Sequence, residues 1–177
     1  MIASLLSLAR FSNAFLVLKA SDIGIDAAFV PVMLVLMYVV YACAAYPFGV
    51  LADRMDRRMQ LGLGAIVLIV SNVILAGANA AGMAAFGVAL WGLQMGITQG
   101  LLSALVADAA PEHLRGTAFG IYEVANGLAT FVASAAAGAL WMISGPAMTF
   151  GTSAVVATAV LFLLSLRPIP KALGLSS

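Results

Sequence analysis

Residues 59–107 read MQLGLGAIVLIVSNVILAGANAAGMAAFGVALWGLQMGITQGLLSALVA, a run between Arg58 and Asp108 without one charged residue. A hydrocarbon core about 30 Å thick is crossed by roughly 20 helical residues, so this run is long enough to cross it twice. Ala78-Asn79 punctuates its middle as a turn does, which predicts spans at 60–79 and 83–107.

The same pattern extends to both ends. The chain carries eight basic and seven acidic residues, and they gather at 10–26, 53–58, 108–123 and 167–171. Between those groups lie further apolar stretches near 1–18, 27–50, 116–140 and 147–166. Hydrophobic residues make up 64% and charged residues 8%, whereas a water-soluble domain is about half apolar and about a quarter charged. The expected fold is therefore all-α: a polytopic membrane protein whose residues 1–177 form one transmembrane domain of six helices. Short connections at Asp22-Ile23-Gly24, Asp53-Arg54-Met55-Asp56, Ala110-Pro111-Glu112 and Ser144-Gly145-Pro146 leave no room for a soluble domain between spans.

Arg54, Arg57, Arg58, Arg115, Arg167 and Lys171 fall on one side of these spans, against Lys19 on the other. Basic residues mark the cytoplasmic side, so both termini are expected inside, in a plasma or bacterial inner membrane. Residues 1–18 are not read as a cleaved secretory signal: no basic residue precedes the apolar run, Arg10 interrupts it, and Lys19-Ala20-Ser21-Asp22 is a poor cleavage site.

Several function classes are disfavoured by composition. A net charge of +1 gives no footing for nucleic-acid binding. The single cysteine, Cys43, excludes an internal disulfide and a cysteine-based metal site, and reads as a small packing residue. The one histidine, His113, lies in a loop beside Pro111 and Glu112 without a nucleophile or metal-ligand cluster around it. No phosphate-binding glycine loop is present. Neither an enzyme, a metal nor a cofactor is expected; the partners expected are the lipid bilayer and a small solute.

Within the spans, the polar and small residues carry the information. Gly92, Gly96, Gly100 and Ala104 recur every four residues, with Gln99 and Ser103 on the same side of the helix. Small residues let helix backbones approach in lipid, so this stripe reads as a packing seam, a substrate-lining face, or both. In the fifth span Glu123, Asn126, Thr130 and Ser134 fall within about an 80° arc, shared by Gly116, Gly120 and Gly127. Such a polar stripe faces protein or water, not lipid. Arg10, one turn from Asn13, is the other intramembrane charge, and Glu123 is its natural partner. A structural ion pair or an arginine snorkelling to the interface stands against a substrate or proton-coupling role. Tyr38 and Tyr41, one turn apart in the second span, either line a cavity or pack.

Two loops are more specific. GVLADRMDRR, residues 49–58, resembles the signature G-x-L-a-D-r-x-g-r-r between the second and third helices of a half in the major facilitator superfamily; Asp56 stands where glycine is usual. ADAAPEHLRGTAFG, residues 107–120, resembles the P-x-x-x-R-G-x-A-x-G start of the penultimate helix of these transporters, and LARFSNAFLVLKASDIG, residues 8–24, resembles their seventh helix. The resemblance implies the C-terminal six-helix half of such a transporter, built as a 3+3 inverted repeat, with the first, second, fourth and fifth spans around the central cavity.

It implies a substrate or proton pathway along Arg10, Asn13, Tyr38, Tyr41, Gln99, Glu123, Asn126 and Thr130, and a cytoplasmic gate of Gly49, Asp53, Arg54, Arg57, Arg58, Asp108 and Arg115. Gly92, Gly96, Gly100, Gly116 and Gly120 are the expected packing positions. Alternating access needs two such halves, and Met1 falls almost inside the first span, so a fragment, a half awaiting a complementary half, or a homodimer is expected. The expected activity is secondary transport of a small solute, coupled to protons through Glu123. The alternative is a non-transporting membrane subunit or remnant whose polar residues only hold helices together.

Overall fold

A computed structural model of the chain describes residues 10–52 and 55–166; Asp53, Arg54, Arg167, Lys171 and the first half of the first predicted span lie outside the described residues. The described backbone is helical: α1 (Ala14–Asp22), α2 (Val30–Ala52), α3 (Arg57–Gly77), α4 (Ala81–Ala109), a single 3-10 turn (Glu112–Leu114) and α5 (Arg115–Leu166). Among the described residues, four stretches are long and apolar enough to cross a membrane: α2, α3, α4 and Glu112–Leu166. Six were expected, and the difference has a physical cause at each end of the chain.

At the C-terminal end, the fourth stretch contains two of the expected spans. Gly145 interrupts α5 with φ 78° and ψ −180°, a conformation open to glycine and costly for any residue with a Cβ. The Trp141 and Phe150 rings lie 6.2 Å apart, whereas nine residues of straight helix rise about 13.5 Å. Tyr122 and Leu164, near opposite ends of α5, also pack into one apolar cluster. Gly145 therefore reverses the chain, and the arms 115–144 and 146–166 lie side by side. Pro146 follows immediately, where its missing N–H removes a donor that the first turn leaves unbonded.

At the N-terminal end, residues 10–12 are not helical and α1 begins only at Ala14, so the described part of the expected 1–18 span is a broken one. Ser12 explains the break. Its hydroxyl oxygen accepts from the Ala14 N–H at 3.2 Å, and its own N–H donates to Ser134 Oγ at 3.0 Å. A serine that bonds the nearby backbone competes with helix formation, and the distant hydroxyl satisfies the N–H that the break exposes.

The bundle is organised around α4, of which twelve residues are buried, against three of α2. Two glycines allow the approach of α2. A Cβ at Gly92 would fall on the Met37 carbonyl oxygen, and one at Gly96 would meet the Ala44 side chain and the backbone beyond it. On the other side of α4, Gly87 accommodates Leu75 and Gly64 of α3 accommodates Thr98. Polar side chains tie these helices at several levels. Gln60 Nε2 donates to the carbonyls of Ile97 at 2.8 Å and Phe48 at 3.2 Å, and Ser71 Oγ donates to the Gly87 carbonyl at 2.8 Å. Each such bond removes a polar group from hydrocarbon as well as fixing a register. The main apolar core joins all five helices, with Phe11 stacked at 5.5 Å from Trp91 and 5.4 Å from Phe150.

Asp56, the departure from the usual loop glycine, caps α3: its Oδ1 accepts from the Arg58 N–H at 2.7 Å. Replacing Asp56 by alanine is expected to cost about 0.5–2 kcal/mol and by glycine only a few tenths, measurable by thermal unfolding in detergent. Gly92→Val and Gly96→Val are expected to cost about 1–3 kcal/mol or to prevent folding through overpacking. Gly100→Ala and Gly116→Ala, whose added Cβ atoms would meet nothing within 4 Å, are expected to melt within about 1 °C of the parent in the same assay.

Candidate functional site

The break ahead of α1, the middle of α4 and the first arm of α5 enclose a cavity of about 190 Å³ lined by Arg10, Gln99, Leu102, Ser103, Tyr122, Glu123 and Asn126. Its parts follow from local structure. Gln99 and Ser103 are one turn apart on α4, and Glu123 and Asn126 one turn apart on α5, so each pair shares a face. Arg10 comes from the non-helical segment, whose position is set by the Ser12–Ser134 hydrogen bond. From α2, the Tyr41 hydroxyl donates to Gln99 Oε1 at 3.2 Å, which orients the Gln99 amide. Six of the seven lining residues are polar, in a bundle whose helices are mostly apolar.

The cavity contains both a guanidinium and a carboxylate. The ion pairs among the described residues are Lys19–Asp22 at 3.6 Å and Arg57–Asp108 at 2.5 Å; none joins Arg10 to Glu123. The expected partnership is thus a shared cavity and not a salt bridge. A continuous helix through residue 10 was assumed in expecting contact, and the break at 10–12 places the arginine differently. Both charges remain available to a third group.

The other expected pathway residues lie elsewhere. Asn13 Oδ1 accepts from Trp91 Nε1 at 3.1 Å and is occupied in the core. Tyr38 is 50% exposed on α2 and does not line the cavity. Thr130 is half-buried further along the polar stripe, between the cavity residue Asn126 and Ser134. Conversely, Tyr122 and Leu102 line the cavity without having been singled out. The signal for Tyr122 was its adjacency to Glu123, which 100° of helical rotation per residue does not place outside the same broad face. Lys19, assigned to a loop, lies in α1 and is 4% exposed beside Asp22.

At the C-terminal end of α4, basic side chains tie three elements together. Arg57 at the start of α3 pairs with Asp108 at the end of α4, and Arg58 Nη2 donates to the Ser165 carbonyl in the last turn of α5 at 2.5 Å. A cation at a helix C-terminus satisfies a free carbonyl and complements the helix dipole. Arg115 begins α5 and is exposed, and Gly49 is exposed with open space around it. Of the expected packing glycines, Gly92 and Gly96 meet α2, whereas Gly100, Gly116 and Gly120 face open space. A second hollow of about 530 Å³, between α3 and the second arm of α5, is lined by apolar side chains and Thr158, whose hydroxyl is used within its own helix. It offers no charge to a polar ligand.

The sequence pattern of the Major Facilitator Superfamily matches residues 1–176. An uncharacterized MFS-type transporter of Methanocaldococcus jannaschii is similar, with 32% identity over 163 residues that cover 89% of this chain and 41% of the relative. The chain thus spans about two-fifths of that relative's length. With the four apolar helices and the match over nearly its whole length, this chain belongs to the major facilitator superfamily and is an integral membrane protein.

Proposed function

We propose that this chain is one six-helix half of a secondary transporter, moving a small solute by alternating access about the cavity at Arg10, Gln99 and Glu123. The observation that carries the reading is the unpaired Arg10 and Glu123 on one cavity. Ionisable groups within a membrane bundle are expensive and mark solute or proton pathways, whereas groups that only held helices together would pair with one another. The two arms of α5 count as two spans, and the segment ending in α1 as another.

The second half is supplied by another chain, a second copy, or further sequence of a longer protein. The relative's greater length supports such a partner, as does the sparse burial of α2, which buries only Val30, Met37 and Ala44. Both termini lie in the cytoplasm of a plasma or bacterial inner membrane. There Arg57–Asp108 and Arg58–Ser165 form a gate between the helix ends, made of exposed bonds that break cheaply; the loop pattern of the sequence adds Gly49, Asp53, Arg54 and Arg115 to it. Coupling is to protons, with Glu123 as the carrier.

In vesicles from cells that produce the native gene product, solute addition is expected to move protons, and Glu123→Gln to reduce that movement about tenfold or more. Proton movement unchanged by Glu123→Gln discards the coupling role. Absence of any solute-dependent flux with the protein intact in the membrane favours a non-transporting subunit.

A further inference from the structure

The chemistry of the cavity carries the reading further than "small solute". Arg10 contributes a fixed positive charge and Glu123 a carboxylate, and the two do not neutralise each other. A solute with one charge would satisfy one of them and leave the other with water or with nothing. With Glu123 ionised, one solute that satisfies both carries opposite charges on a single molecule.

The rest of the lining sets the size and polarity. Gln99, Ser103 and Asn126 add neutral donors and acceptors, and Leu102 is the one aliphatic side chain. A volume of about 190 Å³ is below the roughly 300–1,000 Å³ of drug-sized sites and holds about six waters at the liquid's share of volume. It admits a compact polar molecule with little hydrocarbon. Arg10 offers a planar fork of donors suited to a carboxylate, and an ionised Glu123 offers acceptor oxygens alone, suited to an ammonium.

We infer that the cavity recognises a small zwitterion, an amino-acid-like solute whose carboxylate meets Arg10 and whose ammonium meets Glu123. The inference rests on the proposed reading of this cavity as the solute's site. It also assigns Glu123 a role in its deprotonated state: having released a proton, it is the carboxylate that the ammonium requires. Proton and ammonium then occupy one side chain in turn.

The test uses the full chain purified into lipid nanodiscs, with equilibrium binding of radiolabelled L-alanine, glycine and β-alanine. Propionate and ethylamine, each carrying one of the two charges, serve as competitors. Binding of at least one zwitterion is expected, with either single-charge competitor weaker by about tenfold or more, because each leaves one of the two charges without its partner. Arg10→Gln is expected to weaken zwitterion binding by a similar factor without changing competition by ethylamine, and Glu123→Gln to weaken it without changing competition by propionate. Because the competitor series needs no variant, a substitution that prevents folding leaves the test intact. The inference is overturned if no zwitterion binds monodisperse protein, or if propionate or ethylamine competes as well as the bound zwitterion. Counterflow of the same labels in proteoliposomes separates the two readings. With proteoliposomes made from the native gene product and whatever copurifies with it, zwitterion binding without exchange sustains the inference and removes the transport reading; exchange of another solute class by protein that binds no zwitterion does the reverse.

Discussion

Within hydrocarbon there is no water to complete a hydrogen bond, so each backbone or side-chain polar group must find its partner inside the protein. The described structure follows from that constraint. Helices satisfy the backbone, and where the helix fails at residues 10–12 a serine hydroxyl from α5 replaces the missing acceptor. Gln60, Ser71 and Thr98 are buried and bonded to carbonyls of neighbouring helices or of their own. The packing glycines Gly92 and Gly96 let α2 approach α4 so closely that an added Cβ would meet Met37 or Ala44. Among the described residues the constraint is relaxed at three buried amide oxygens, Gln60 Oε1, Asn72 Oδ1 and Gln94 Oε1, and at the cavity, where Arg10 and Glu123 share a lining without an ion pair between them.

Hydropathy made much of the fold legible. Stretches expected at 27–50, 60–79 and 83–107 correspond to helices at Val30–Ala52, Arg57–Gly77 and Ala81–Ala109, because a bilayer admits only segments that are apolar for their whole length. The reversal at Ser144-Gly145-Pro146 was legible as well, since its residues act through their own backbone. The break at residues 10–12 was not, because Ser12 leaves the helix with help from a residue 122 positions away. Local preference alone does not reveal such a partner.

The site was legible in the same divided way. Periodicity placed Glu123 and Asn126 on one face, and they do line the cavity together. It placed Tyr38 and Tyr41 together equally well, yet Tyr41 reaches Gln99 and Tyr38 is half exposed. Likewise Gly92, Gly96 and Gly100 share a spacing, but α2 diverges from α4 before reaching the third. Spacing along one helix determines which residues are neighbours on its surface; which of them meets another element depends on crossing geometry that a single helix does not encode.

The hydrogen bond from Ser12 to Ser134 ties the wall that carries Arg10 to the arm that carries Glu123. Residues 10–12 are non-helical, and the Ser12 carbonyl accepts from the Phe15 N–H at 3.1 Å, so this piece of backbone is held to α1 on one side and to α5 on the other. A tilt of the first arm of α5 would draw the serine tether with it and carry the guanidinium along the cavity wall. Glu123 rides on the same arm as Ser134, so the tether would move the two charges together and hold their spacing while that arm shifts against α4.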